Sequence, residues 1–177
     1  MNLSQNYFEL FGLDVGFNLD RAALDTAYRE LQKEYHPDRF AHKGDAEQRQ
    51  AVQNSTHLNT AYEALKSPLL RAQYLLSLQG VLTGEESRKQ LPMDFLMQQM
   101  ELRESLADAP ETADPFATLE SLETQTVALE KDCFDTFQSA YAVGDLDSAE
   151  ESVRKLQFLK KLLSEIEVME DRLDEEF

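Results

Sequence analysis

Apolar residues at helical spacing extend through almost the whole chain, and this period limits the folds open to it. The 177 residues include only 6 Gly and 5 Pro, which mostly lie where the helical runs end. No run shows the alternation of apolar and polar residues that is typical of a half-buried strand. The pattern therefore predicts an all-α protein.

Four helices are predicted in the first 80 residues. The second begins after Asp20, whose carboxylate is a suitable N-cap, and ends near Tyr35, because the following His-Pro sequence disfavours helix. The third ends at Lys66, and the fourth begins with Pro68, where a missing amide costs nothing. Together these helices form a predicted N-terminal domain over residues 1–80.

A second group of helices follows a polar connector at residues 81–92. Helical stretches at 93–108, 115–142 and 146–174 make up a predicted domain over residues 93–177. The last stretch carries one apolar stripe, formed by Val153, Leu156, Leu159, Leu163, Ile166 and Leu173. Such a stripe is typical of a bundle, so we predict a C-terminal three-helix bundle.

The charge is strongly negative and unevenly distributed. The formal net charge is -17, of which residues 1–75 carry -2 and residues 76–177 carry -15. Nucleic acids and anionic membranes bind basic surfaces, so the composition argues against both as partners. The split indicates two modules with different roles.

The cytoplasm is the predicted compartment. The single cysteine, Cys133, cannot form an internal disulfide. No apolar run approaches the roughly 20 residues that a membrane-spanning helix needs. The first residues also lack the basic region and apolar core of a secretory signal.

A polar corner separates the second and third predicted helices, at His36, Pro37 and Asp38. Pro37 restricts the backbone and so lowers the entropy of a protruding turn. Asp38 is suited to a charge-assisted bond with a partner's arginine, and His36 can hold the turn through local hydrogen bonds. The corner is therefore interpreted as a docking site, although an ordinary helix–helix turn has the same local signature.

The context of the corner resembles a J domain, the module that recruits DnaK-type ATPase chaperones. The resembling residues are YFELFGL at 7–13, Asn59, Ala61, Tyr62, Leu65, Arg71 and Tyr74. Three further motifs are similar to the HscB family of J-type co-chaperones, which serve bacterial iron–sulfur cluster assembly: SPLLRAQYLLSL at 67–78, FLMQQMELRESL at 95–106 and VRKLQFLKKL at 153–162. This resemblance covers nearly the whole chain.

The resemblance implies a site for a DnaK-type, HscA-like ATPase. The residues it assigns are His36, Pro37, Asp38, Arg29, Lys33 and Arg39. The last three form a basic strip, which in J domains meets an acidic surface of the ATPase. Solvation and pairing within the helix are the alternative, since Asp25 lies four residues before Arg29 and would supply a partner.

The helix predicted at 93–108 has two apolar faces. Phe95, Leu102 and Leu106 share one face, and Met93, Leu96, Met97 and Met100 share the other. A second apolar face is either buried in the bundle or an interaction site. The resemblance implies a surface that binds the iron–sulfur scaffold protein IscU, and it assigns Leu96, Met97, Met100, Glu101, Glu104 and Phe158. Gln157 stands where the family often has a basic residue.

We expect no cofactor, metal or catalytic residue in this chain. The three histidines are not spaced as ligands, His57 is predicted to be a solvated surface residue, and Cys133 is predicted to be a partly buried thiol. The predicted function is delivery of the scaffold protein to the chaperone with stimulation of its ATPase. A general J-domain co-chaperone, a helical adaptor for another client, an inert bundle and an enzyme using His36 remain as alternatives.

Overall fold

The computed structural model describes residues 4–84 and 90–176, so residues 85–89 of the predicted connector lie outside the described residues. Seven α-helices and no strand occur in the described residues. The helices are α1 (Tyr7–Leu10), α2 (Arg21–Tyr35), α3 (Asp45–Lys66), α4 (Pro68–Leu78), α5 (Met93–Asp108), α6 (Pro115–Val143) and α7 (Leu146–Glu176). The chain forms two compact units, Met1–Gln79 and Gly80–Phe177. The predicted all-α class is confirmed.

Local capping explains where the helices of the first unit begin and end. The Asp20 carboxylate accepts hydrogen bonds from the amides of Ala22 and Ala23, and the Ser67 hydroxyl accepts one from Leu70. These three bonds satisfy amides that have no partner within the first helical turn. The predicted boundaries at Tyr35, Lys66 and Pro68 are confirmed because these signals are local.

The first unit is built around the antiparallel pair α2 and α3, with α1 and α4 packed against α3. Its core is fully buried and consists of Phe8, Leu24, Leu58, Ala61, Leu65, Ala72, Leu75 and Leu76. In α3 the buried positions follow Ala51 rather than Val52, which is 53% exposed. The buried face of α3 therefore begins at Ala51 and leaves Val52 on the solvent side.

His57 is not the solvated surface residue that its polar neighbours predicted. The His57 and Tyr7 rings meet edge to face, with the centroids 5.6 Å apart. Its Nε2 atom is buried and has no hydrogen-bond partner. The prediction was wrong because Tyr7 is brought to α3 by tertiary packing, and the Tyr7 amide donates to the Tyr74 hydroxyl at 2.9 Å.

The second unit is an α6–α7 hairpin with α5 packed on it. Gly144 ends α6 in the left-handed conformation, with φ of +78°, which glycine adopts without steric cost. The main apolar cluster of the three helices contains Leu102, Leu106, Leu119, Leu122, Leu162, Ile166 and Leu173. Leu91 joins a smaller cluster with Phe95 and Leu159, and Thr83 is also buried.

The predicted stripe of α7 was wrong at one position. Leu162 is 1% exposed and lies in the core, whereas Leu163 is only half-buried. Two adjacent leucines both fit a helical period at this point, and the packing of α5 and α6 selects the first. The remaining members of the predicted stripe are buried.

Candidate functional site

The corner forms the start of a short 3-10 helix, Pro37–Phe40, directly after α2. His36 is its N-cap, and its Nδ1 atom accepts a hydrogen bond from the Asp38 amide at 3.3 Å. The Arg39 amide donates to the His36 carbonyl oxygen at 3.1 Å. His36 therefore holds the turn through both its ring and its backbone, while Pro37 supplies a restricted φ at the first helical position.

The Asp38 side chain points into solvent. It is 89% exposed, and its Oδ2 atom lies 3.6 Å from the Nδ1 atom of His36. An ionised carboxylate only accepts hydrogen bonds, so most of its acceptor capacity remains available to another molecule. An exposed carboxylate on a rigid turn suits docking, and it lacks the enclosure that a catalytic acid needs.

Arg39 and Lys33 also have partners within the first unit. The Nη1 atom of Arg39 donates to the Lys33 carbonyl oxygen at 2.9 Å, which satisfies an acceptor at the end of α2. The Lys33 ammonium pairs with Glu30 at 2.8 Å, and both side chains are largely exposed. Because an exposed pair of this kind contributes little to stability, Lys33 can exchange Glu30 for a partner's carboxylate at low cost.

The ion pair predicted between Asp25 and Arg29 does not form, because the Asp25 carboxylate pairs with a different arginine. The Asp25 carboxylate binds Arg21 at 2.7 Å, and the Nε atom of Arg29 donates instead to the Asp25 backbone carbonyl at 3.1 Å. Arg29 is exposed. The Arg29 guanidinium therefore forms no direct ion pair with the Asp25 carboxylate.

A polar and aromatic network joins α2 to α3 and so holds the hairpin that bears the corner. The Tyr62 hydroxyl donates to Asp25 at 2.9 Å, and its ring stacks on Tyr28 with centroids 4.0 Å apart. Removal from water alone would raise the pKa of Asp25. The hydrogen bonds from Tyr62 and Arg21, with the nearby guanidinium charges, outweigh it and lower that pKa.

Three methionines lie exposed on one face of α5. Met93, Met97 and Met100 are 71%, 57% and 60% exposed, and we call these three residues the methionine ridge. The alternative that α5 is buried on both faces does not hold for these side chains. Glu101 and Glu104 are exposed on the same helix.

Leu96 and Phe158 occupy a different environment from the methionine ridge. Both are half-buried and pack against the cluster of Leu91, Phe95 and Leu159. The Phe158 ring meets Phe95 edge to face, with centroids 6.4 Å apart. Of the predicted scaffold-binding residues, these two therefore have a packing role in addition to any contact with a partner.

The orientation of α5 depends on contacts that the sequence pattern did not reveal. Arg103 on α5 pairs with Glu165 on α7 at 3.1 Å, across 62 residues of sequence. This pair and the inward face of α5 together fix the side on which the methionine ridge lies. A long-range pair of this kind has no signal in local spacing.

A groove beside the methionine ridge brings in Lys155, which the sequence analysis missed. The groove is lined by Asp94, Phe95, Met97, Gln98, Glu101 and Lys155. The Lys155 ammonium lies 5.5 Å from the centroid of the Phe95 ring and 2.7 Å from Glu151. The only sequence signal was the spacing of four between Glu151 and Lys155, which many solvent-exposed helices share.

Gln157 is engaged within the second unit. Its side-chain amide donates to the backbone carbonyl oxygen of Thr83 at 3.0 Å. This bond links the segment that precedes residue 85 to α7.

The described residues contain no group of three or more His, Cys, Asp or Glu side chains able to hold a metal ion. Cys133 is a free, half-buried thiol, as predicted, and burial raises its pKa. Within residues 4–84 and 90–176, no helix combines the length and apolarity required to cross a membrane.

Comparison with known proteins matches both units. The DnaJ domain model matches residues 6–74, and the HSCB C-terminal oligomerisation domain model matches residues 91–167. A co-chaperone protein HscB homolog of Vibrio cholerae is 44% identical over 169 residues, covering 95% of this chain and 98% of that protein. The homolog of Photobacterium profundum is 42% identical over 167 residues, covering 94% and 97%.

Solved structures give the same result. Chaperone HscB from Vibrio cholerae superposes with a TM-score of 0.86 at 42% identity, covering 96% of this chain and 99% of that one. Human co-chaperone HscB superposes with a TM-score of 0.89 at 29% identity, covering 96% and 84%.

The matched DnaJ domain, with an exposed turn on its helical hairpin, makes this protein a J-domain co-chaperone. Its identity to curated relatives over nearly the whole length shows that the chain belongs to the HscB family. These relatives are co-chaperones rather than enzymes.

Proposed function

We propose that this co-chaperone delivers an IscU-like iron–sulfur scaffold protein to an HscA-like, DnaK-type chaperone and stimulates its ATPase. It thereby assists maturation of iron–sulfur proteins in the cytoplasm. The observation that carries the proposal is the presence of two exposed features on separate units of one chain. These are the corner in the first unit and the methionine ridge in the second.

The corner supports an ATPase-docking role through its rigidity and exposure. His36 and Pro37 restrict the turn before any partner arrives, so little conformational entropy is lost on binding. Asp38 presents a carboxylate that a partner's guanidinium can bind through two parallel hydrogen bonds. The proposed chaperone-binding residues are His36, Pro37, Asp38, Arg29, Lys33 and Arg39.

The methionine ridge supports a scaffold-docking role through its exposed apolar area. Methionine side chains are flexible and polarisable, so they adapt to an irregular partner surface. Glu101 and Glu104 place carboxylates near this apolar face, where a partner's basic side chains can pair with them. The proposed scaffold-binding residues are Leu96, Met97, Met100, Glu101, Glu104 and Phe158.

The first experiment replaces Asp38 with Asn, which keeps the size of the side chain and removes its charge. We expect the folded variant to lose stimulation of the chaperone's steady-state ATP hydrolysis, because the charge-assisted bond is absent. Asp14→Asn is the matched control, since Asp14 is also an exposed aspartate of the first unit. Stimulation by Asp38→Asn equal to that of the control would contradict the docking role of the corner.

The second experiment replaces Met97 and Met100 together with Ala. We expect the Kd for the purified scaffold protein to rise at least about tenfold, because two exposed apolar contacts of the interface are removed. The melting temperature should stay nearly unchanged, since neither side chain contributes to the core.

Val127→Ala with Val168→Ala is the matched control for the second experiment. These valines are 47% and 64% exposed on α6 and α7. Equal affinities for the two double variants, measured by calorimetry, would remove the methionine ridge from the scaffold interface. A large fall in melting temperature for the methionine variant alone would show that the ridge stabilises the fold instead.

A further inference from the structure

The sulfur atoms of this chain differ sharply in their access to solvent. The sequence contains 5 Met and 1 Cys, and three of the methionines form the exposed methionine ridge. Met169 is only partly exposed and packs against the main apolar cluster of the second unit. Of these exposed methionines, Met97 and Met100 belong to the proposed scaffold-binding residues, and Met93 lies on the same face of α5.

Cys133 is a poor competitor for a soluble oxidant. The reactive form of cysteine is the thiolate, and removal of Cys133 from water disfavours that form. Burial raises the pKa of the thiol, although the positive charge of Lys155 acts in the opposite direction. At neutral pH the thioethers of the methionine ridge are therefore both more accessible and independent of any deprotonation.

We propose that the methionine ridge is a reversible oxidation site that controls capture of the scaffold protein by the free co-chaperone. The inference rests on the proposed scaffold-binding function. The oxidant is a two-electron peroxide, and the modified atoms are the Sδ atoms of Met93, Met97 and Met100.

Oxidation of each methionine to its sulfoxide consumes one molecule of hydrogen peroxide. The Sδ lone pair attacks one peroxide oxygen as the O–O bond breaks, and the distal oxygen leaves as water after proton transfer. Sulfur loses two electrons and becomes a sulfoxide, while hydrogen peroxide is reduced to water. A sulfoxide reductase reverses the change with two thiols, which form a disulfide as the oxygen leaves in water.

The physical consequence follows from the position of these side chains. A sulfoxide has a strongly polar S–O bond, and burying it in an apolar interface without a hydrogen-bond donor is unfavourable. Because the methionine ridge lies outside the core, the same change leaves the packing of the second unit intact. Oxidation should therefore affect binding and leave stability nearly unchanged.

The spacing of the three methionines makes the effect cumulative. Met93, Met97 and Met100 are separated by four and three residues on one helix, so they lie on one face. A partner that covers this face buries several sulfoxides at once. The same partner, when bound first, shields the three sulfur atoms from peroxide.

The test treats the full-length protein with hydrogen peroxide and follows each methionine by peptide mass spectrometry. We expect the three ridge methionines to be oxidised before Met169. The Kd for the purified scaffold protein should then rise at least about tenfold, with the melting temperature nearly unchanged. Methionine sulfoxide reductases A and B, with a thiol reductant, should restore the original Kd, and prior binding of the scaffold should slow oxidation of the ridge.

The triple variant Met93→Leu, Met97→Leu, Met100→Leu is the control, because leucine is apolar and cannot be oxidised. Its Kd for the scaffold protein, measured before and after peroxide treatment, should not change. Equal loss of affinity in the treated triple variant would overturn the inference, since oxidation elsewhere would then be responsible. Oxidation of Met169 as fast as the ridge would also overturn it.

The outcomes separate this inference from the proposed function. Binding by the native chain that peroxide leaves unchanged overturns the inference alone. Failure of the untreated native chain to bind the scaffold overturns the proposed function, and the inference with it.

Discussion

His36 shows how one side chain can define the shape of an exposed turn. Its ring nitrogen accepts the Asp38 amide and its carbonyl accepts the Arg39 amide, so the backbone of the corner is held from both sides. The Asp38 carboxylate is left in solvent by this arrangement. The residue types of the corner were readable from the sequence, whereas the capping bond from Arg39 to Lys33 required tertiary geometry.

A buried amide in α5 gives a residue-scale prediction for stability. Gln99 is 9% exposed, and its side-chain nitrogen has no hydrogen-bond partner. Leaving a buried donor unsatisfied costs about 1 kcal/mol or more. Gln99→Met has a similar unbranched shape without that donor, so we expect it to stabilise the chain by about 1 kcal/mol in urea unfolding.

Gln98→Met is the control for this prediction, because Gln98 is exposed on the same helix. It should change the unfolding free energy by much less. A decrease in stability for Gln99→Met would show that the Gln99 amide makes a favourable interaction.

Single residues are also where sequence reasoning failed. Leu162 and Leu163 are chemically equivalent neighbours, and only the packing of α5 and α6 decides which is buried. His57 has polar neighbours along α3, but Tyr7 covers part of its ring from another helix. Both errors arise because local spacing carries no information about what packs against a residue.

At the scale of helices, the sequence was a better guide. Boundaries were predicted well because caps and prolines act within a few residues, as Asp20, Ser67 and Pro68 do. The contacts between helices were not predictable in the same way. The bond between Tyr62 and Asp25 spans 37 residues, and the pair of Arg103 and Glu165 spans 62.

The α2–α3 pair has a predictable response to acid. The pKa of Asp25 is lowered in the folded state from its ordinary value of 3.8, so its ionised form stabilises the fold at neutral pH. That contribution is present above the unfolded pKa and is lost as pH falls through the lowered folded value. Asp25→Asn should therefore reduce stability at neutral pH and flatten the dependence of stability on pH below about 4.

Near-ultraviolet circular dichroism during urea unfolding measures this effect, because five of the 6 tyrosines lie in the first unit. Asp14→Asn serves as the control and should keep the native acid response. An unchanged acid response in Asp25→Asn would contradict the stabilising role of the network. At alkaline pH, the dependence of stability on pH has the opposite sign because of Tyr62. The pKa of Tyr62 is raised in the folded state from its ordinary value of 10.0, so the fold loses stability as pH rises above that value.

The whole molecule carries two exposed features of different chemistry, the corner and the methionine ridge, which are the proposed docking surfaces. The corner and basic strip belong to a unit of almost balanced charge, and the methionine ridge belongs to a strongly acidic one. The charge split and the helical class were both visible in the sequence. The exposure of the methionine ridge was not, since a second apolar face is as compatible with burial as with docking.

In the proposed function, the covalent link between the two features raises the local concentration of scaffold protein near the chaperone without any new contact. The proposed function depends on this coupling. It requires that both features act from the same molecule.

The direct test mixes Asp38→Asn with the Met97→Ala, Met100→Ala double variant and measures the chaperone's steady-state ATP hydrolysis at limiting scaffold concentration. The native chain should show an extra stimulation when scaffold is added, because it brings scaffold and chaperone together. The mixture contains one intact corner and one intact methionine ridge on different molecules, so we expect no such extra stimulation. A mixture that restores the scaffold-dependent stimulation to the native level would contradict the proposed coupling.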